Sequence, residues 1–265
     1  MSDHRITRRA CMRELACLTG GALIVPWVGG CARSTPERLS VTPASTSGPP
    51  TQAVRPGLRP IGSGGERDGV MYLPSDTAEP APLLLLLHGA GGNGRRVARL
   101  LLPLAEQAGC VLVAPDSRDA TWDGVAGAFG PDVRYIERVL SETLGRRPID
   151  PRRMAIAGFS DGATYALGLG RANGDLFTHL IAYSPGFLTP SSVTGLPRVF
   201  VSHGRSDGIL PIDRCSRVLV PQLRHDGYDV RYREFEGGHE VPDAVVRQSL
   251  GWFLGPGEQV RPHPQ

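Results

Sequence analysis

The sequence predicts an α/β fold, a mostly parallel, doubly wound sheet with helices on both faces. Three observations carry this prediction. Short apolar runs recur along the middle of the chain, each bounded by Gly, Pro, Ser or Asp. Stretches with apolar residues at helical spacing lie between them. The two patterns alternate, and repeated strand–helix–strand units build a parallel sheet covered on both sides.

In chain order the runs are residues 83–87, 110–114, 154–157, 180–183 and 198–201. Each is continuous enough for a strand buried on both faces. The leucines of 83–87 favour helix by propensity, but Pro82 before them and Gly89 after them leave no room for one. Residues 230–235 read as a further strand. Val133, Ile136, Leu140 and Leu144 step along one helix face, with Pro131 suited to the first turn. Cys215, Val218, Leu219 and Leu223 mark a second helix, and Ala244, Val245 and Trp252 the last. In such a sheet, functional groups gather at the C-terminal ends of the strands.

Composition excludes several chemistries. Of 265 residues, 29 are basic and 26 acidic, for a net charge of +3. Every basic residue is Arg, and Lys is absent. That excludes Schiff-base catalysis, a Ser–Lys dyad and a phosphate-loop lysine. So small and dispersed a charge argues against a nucleic-acid partner. No apolar run reaches the ~18 residues of a membrane-spanning helix. The His residues are scattered without ligand spacing, so no metal is expected.

Two glycine motifs compete. Gly89-Ala90-Gly91-Gly92-Asn93-Gly94 follows a strand and opens a helix, and Asp116 ends the next strand. This imitates a dinucleotide-binding fingerprint. Gly158-Phe159-Ser160-Asp161-Gly162 lies between a strand and an Ala-rich helix, as a nucleophile elbow requires. Asp207 follows just past a strand, and His239 lies between the last strand and the last helix. Ser, Asp and His in that chain order complete a triad. The glycine loop then supplies one backbone N–H of an oxyanion hole, at Ala90, and Asp161 N–H the other. A cofactor reading leaves Ser160, Asp207 and His239 unexplained, so no cofactor is expected.

These residues resemble the α/β-hydrolase superfamily. Within it the chain is similar to bacterial phospholipase/carboxylesterase-like and polyhydroxybutyrate depolymerase/feruloyl-esterase-like proteins. The carriers are His88-Gly89-Ala90-Gly91-Gly92-Asn93, Pro115-Asp116-Ser117, Asp150-Pro151-Arg152-Arg153, the Ser160 elbow, His203-Gly204-x-x-Asp207-x-x-Leu210-Pro211 and Gly238-His239. The resemblance implies a serine carboxylic-ester hydrolase. Ser160 would be its nucleophile, His239 its base and Asp207 the group that fixes the histidine tautomer. It also implies that His88 and His203 are structural, packed under the loops. Asp161 departs from the Asn, Gln or Met common after the nucleophile, and puts a carboxylate beside the oxyanion site. Among rivals, Asp213 reads as lying inside a helix, His225 as a surface turn and His179 as an ordinary surface residue.

The N-terminus reads as an address. Arg8-Arg9, an apolar stretch over 15–28 and Val28-Gly29-Gly30-Cys31 match an export signal. The arginine pair resembles a twin-arginine signal. Val-Gly-Gly-Cys resembles a bacterial lipobox, which implies a lipid on Cys31. The chain divides into a signal (1–30), a Pro/Ser/Thr linker (31–57) unable to bury a core, a catalytic domain (58–254) and a frayed tail (255–265). The expected location is a bacterial periplasm or cell surface, anchored to membrane by the lipid. Past the signal and Cys31 only Cys110 and Cys215 remain, too far apart in strand order to bridge, so two free thiols are expected.

Only residues 185–197 separate Ser184 from Arg198. That leaves no room for a cap domain and predicts an open site for small or polymer-borne esters. Trp122, Phe187 and Leu210 are the substrate-binding candidates, with Phe129 and Ile209 on the same loops. Arg118 reads as a solvated arginine or a contact for an acidic substrate. A peptidase or acyltransferase on the same triad, or an inert tethered binding protein, are the competing readings.

Overall fold

A computed structural model describes residues 37–41, 55–62, 67–76 and 79–255. The expected signal (1–30), Cys31 and most of the expected linker and tail lie outside the described residues. The strands are β1 (Gly57–Pro60), β2 (Gly69–Leu73), β3 (Ala81–Leu87), β4 (Val111–Pro115), β5 (Ile149–Phe159), β6 (His179–Tyr183), β7 (Arg198–Gly204) and β8 (Val230–Phe235). They form one sheet in the order β1-β2-β4-β3-β5-β6-β7-β8. Pairing is parallel from β4 through β8 and antiparallel at β1–β2 and β2–β4.

The leucine run becomes β3 near the middle of the sheet because it can bury both faces. Leu83, Leu85 and Leu87 join one core and Leu84 and Leu86 the other, as the twofold alternation of a strand requires. All five are buried, each contributing ~1.5–3 kcal/mol of apolar burial. The first core is covered by α4 (Pro131–Arg146), α5 (Asp161–Ala172) and α6 (Ser216–His225). The second is covered by α1 (Gly94–Ala98), α2 (Leu102–Gln107) and α7 (Asp243–Leu254). A short helix α3 (Asp123–Ala126) precedes α4.

Strands β1 and β2 were absent from the sequence expectation. They form the antiparallel margin, where β1 is only half-buried and shows no continuous apolar run. The edge strand at the other margin, β8, carries exposed Arg231 and Arg233. Its Glu234 is clamped by Arg217 at 2.7 Å and Arg205 at 3.1 Å.

Three further expectations change. Residues 37–41, read as linker, pack on the domain. Leu39 is in the core, its N–H bonds Asn173 Oδ1 at 2.8 Å, and Arg38 pairs with Asp175 at 2.7 Å. His179 is no surface residue: it is buried edge-on against Trp252 and Phe253. Burial, aided by Arg198, pulls its pKa down to about 4. Asp213 sits in a one-turn 3₁₀ segment and pairs with Arg217 at 2.7 Å. Cys110 and Cys215 are free and buried. Among the described residues no helix is long and apolar enough to cross a membrane, and no side-chain cluster would hold a metal ion.

Candidate active site

The elbow is built by crowding. Strand β5 ends at Phe159 and α5 begins at Asp161, leaving Ser160 between them at φ 57°, ψ −121°. A non-glycine residue there is strained and persists only where its surroundings hold it. Ser160 N–H donates to Tyr183 O at 2.9 Å. A Cβ on Gly158 would lie 2.1 Å from Gly162 O, and one on Gly162 would lie 2.3 Å from Leu87 O. The motif therefore needs glycine at both positions.

Three sheet-end loops meet at this serine. His239 Nε2 is 2.9 Å from Ser160 Oγ, and His239 Nδ1 is 2.7 Å from Asp207 Oδ2. A carboxylate only accepts, so Nδ1 carries the proton and Nε2 is free to accept from the hydroxyl. The Asp207 side chain is fully buried. Its Oδ1 accepts the N–H groups of Ile209 at 2.9 Å and Leu210 at 2.8 Å. Burial alone would raise its pKa, but His239 and these N–H groups outweigh burial and hold it below the ordinary carboxylate value. The imidazole also packs on Phe159, ring centroids 4.7 Å apart.

Ala90 and Asp161 flank Ser160. A Cβ on Gly89 would be 3.2 Å from Ser160 Cβ, so the glycine loop runs directly beside it. Neither Ala90 N–H nor Asp161 N–H has an acceptor among the described residues. Free backbone N–H groups beside a nucleophile are what an oxyanion site requires. The Asp161 carboxylate accepts from Thr121 Oγ1 at 2.6 Å.

The loop itself is braced from below. Asp116 Oδ1 accepts Gly94 N–H at 2.5 Å, and Asn93 caps α1 by accepting Arg96 N–H at 2.8 Å. Asp116 is buried, and the acidic residue of the dinucleotide-like motif braces the glycine loop through this bond. Trp122 must be corrected. It is 0% exposed, donates Nε1–H to His88 O at 2.8 Å and stacks on Tyr165 at 5.2 Å. A side chain this enclosed supports the glycine loop and cannot touch a substrate. Phe129 is likewise core, packed on Tyr165. The Arg118 guanidinium lies 3.6 Å from the Tyr135 ring centre and donates to Asp116 O.

A cleft of about 460 Å³ opens at the site, lined by residues 88–93, Arg96, Val97, Leu100, Phe159, His239, Glu240 and Val241. Sequence reasoning missed Arg96, Leu100, Glu240 and Val241. The usable signal was adjacency to Asn93 and His239. Phe187, Ile209 and Leu210 do not line this cleft. Phe187 is 49% and Ile209 70% exposed, and Leu210 is half-buried. Leu210 lies behind Asp207, its N–H spent on the carboxylate.

No protein-family model matches the chain. It is 29% identical over 160 residues to a probable feruloyl esterase C of Aspergillus oryzae, covering 56% of this chain and 57% of that protein. It is 29% identical over 154 residues to a putative esterase, NocK, of Nocardia uniformis, covering 52% and 43%. The chain thus spans about half the length of these curated relatives. Among solved structures it is similar to esterase PE8, with TM-score 0.59 and 23% identity over 70% of this chain and 97% of that one. It is also similar to FphF, a fluorophosphonate-binding serine hydrolase of Staphylococcus aureus, with TM-score 0.61 and 17% identity over 76% and 100%. Strand order, elbow and neighbours agree, and the chain has the α/β-hydrolase fold.

Proposed function

We propose that the chain is a serine carboxylic-ester hydrolase working through Ser160, His239 and Asp207. One observation carries the reading: hydrogen bonds of 2.9 and 2.7 Å join Ser160 Oγ, His239 and Asp207, and His239 lines the cleft. Ser160 Oγ attacks the ester carbonyl as His239 Nε2 takes its proton. The carbonyl oxygen, now negative, accepts from Ala90 and Asp161 N–H. The imidazolium, stabilised by Asp207, returns the proton to the departing alcohol and leaves an acyl-serine. Water, deprotonated by the same imidazole, releases the acid and restores Ser160.

The cleft has an apolar wall of Val97, Leu100, Phe159 and Val241 beside Arg96 and Glu240. Its open setting suits small or polymer-borne esters. Phe187 and Leu210 remain candidates for the far side of the reacting carbonyl. Short p-nitrophenyl esters test the reading. The wild type should turn them over and Ser160→Ala should lose at least about 10⁴-fold in kcat, with a fluorophosphonate label on Ser160 only in the wild type. Equal turnover by the two proteins on a broad ester panel would refute it. Acyl transfer to added alcohol or amine would instead favour the transferase or peptidase reading.

The second half of the proposal is export and lipid anchoring at Cys31. It rests on the arginine pair, the apolar stretch and Val28-Gly29-Gly30-Cys31. Intact-mass measurement of the membrane-extracted protein should show loss of residues 1–30 and added acyl mass. Cys31→Ser should abolish both changes.

A further inference from the structure

Strand β7 ends in a second buried histidine that the proposed mechanism does not use. His203 is 0% exposed. Its Nε2 lies 2.7 Å from Leu210 O and 3.2 Å from Asp207 Oδ2, and its Nδ1 lies 2.6 Å from Ser216 Oγ. A carbonyl only accepts, so Nε2 carries the proton and Nδ1 accepts from the Ser216 hydroxyl. The tautomer is fixed from both ends.

We propose that His203 is a positioning residue for the reaction, a second imidazole that orients the triad carboxylate and tunes how strongly it attracts a proton on His239. The inference rests on the esterase reading above. Three groups donate to Asp207: Ile209 and Leu210 N–H to Oδ1, and His239 Nδ1–H to Oδ2. His203 Nε2, whose one proton is directed at Leu210 O, stands 3.2 Å from the same Oδ2. The two backbone donors set the plane of the carboxylate, so that Oδ2 faces Nδ1 of His239. The positive end of the His203 N–H dipole lies beside the very oxygen that His239 uses and stabilises the charge there. Because Leu210 O accepts the same N–H, His203 ties together both ends of the turn that holds Asp207.

The titratable groups facing this cluster are Asp207, His239 and the buried thiol of Cys215. Burial lowers the pKa of His203 despite the neighbouring carboxylate, which favours the neutral tautomer with its proton on Nε2. Without it, Asp207 carries more concentrated charge and holds an imidazolium on His239 more firmly. The acidic limb of the rate profile then moves to higher pH.

The experiment measures kcat/KM against pH on phenyl acetate for the wild type, His203→Leu, His203→Gln and Ser216→Ala, with fluorophosphonate titration of active sites. His203→Leu should lower kcat about tenfold, with KM little changed, as for loss of a polar N–H beside the carboxylate and of the brace on its turn. Its acidic limb should rise by roughly half a pH unit. His203→Gln offers an amide N–H near the Nε2 position and should recover most of the rate and the wild-type limb. Ser216→Ala should fall between them. A His203→Leu enzyme that is less heat-stable but keeps the wild-type limb per titrated site overturns the proposal and leaves a packing role. If His203→Leu does not fold, wild-type kcat and limb in Ser216→Ala, combined with lowered activity in His203→Gln, also overturn it. Failure of the wild type itself to take the label would refute the esterase reading instead.

Discussion

The glycine loop after β3 and the Asp207 loop after β7 are built alike and, in the proposed mechanism, used differently. Each begins with His-Gly at the end of a parallel strand: His88-Gly89 after β3 and His203-Gly204 after β7. Each histidine is buried, and burial lowers the pKa of both. Each cross-links its loop, but in opposite tautomers. His88 Nδ1 faces Gly89 O at 2.8 Å and its Nε2 accepts Ser117 N–H at 3.0 Å. His203 donates from Nε2 to Leu210 O and accepts at Nδ1. The first holds backbone donors in place, whereas the second touches a charge. In the proposed mechanism one dipeptide thus serves two ends: shaping a site for charge that appears during reaction, and managing charge that is always there.

The largest effect should come from the permanent charge. Asp207→Asn should lower kcat about 10⁴-fold while the protein stays folded, because an amide supports the wrong histidine tautomer. Esterase kinetics with circular dichroism test this. On the other loop, Gly94→Ala would bring a Cβ to 1.8 Å from Ala114 O. Since backbone cannot give way cheaply, it should cost about 2–3 kcal/mol in urea unfolding and depress kcat through the displaced loop. His88→Leu leaves Ser117 N–H without its acceptor and should cost about 1–3 kcal/mol. It should lower kcat roughly tenfold with no movement of the acidic limb. A shifted limb there would erase the distinction between the two histidines. Asp161→Asn keeps an acceptor for Thr121 and removes negative charge beside the oxyanion donors, so kcat should rise about threefold. The smallest effect lies away from both loops. His179 has its pKa lowered from 6.5 to about 4, so the unfolded chain binds more protons between those values. Stability from this site is complete above pH 6.5 and is lost as pH falls toward 4. Thermal melts of His179→Gln should decline less steeply across that window.

How much of this was legible follows from what each residue must do. The central strands were readable because burial on both faces demands unbroken apolar runs, as at 83–87. The juxtaposition of Ser160, Asp207 and His239 was readable because elbow, acid and histidine each need a strand end and a fixed chain order. Strands β1 and β2 were not, because a half-buried margin imposes no such run. Trp122 misled because loop position does not say which way a side chain turns, and its indole N–H found a carbonyl below the loop. Leu39 was hidden because one apolar residue in a polar stretch carries no periodicity. Arg96 and Leu100 were hidden because only the packing of α1 against the sheet brings them to the cleft. His179 opens β6, and only the return of α7 at the end of the chain encloses it.

The ion-paired margin at β8 has a consequence for the molecule in company. An open sheet offers its last strand as a template to any passing extended chain. Here that strand turns Arg231 and Arg233 to solvent, and Glu234 is already held by two arginines of the same molecule. A second copy docking its own β8 alongside would set like charges against each other and gain no apolar cover. The same few arginines, which have no part in the proposed chemistry, therefore discourage fibre growth from this end of the sheet, so the protein can be crowded without its sheets joining.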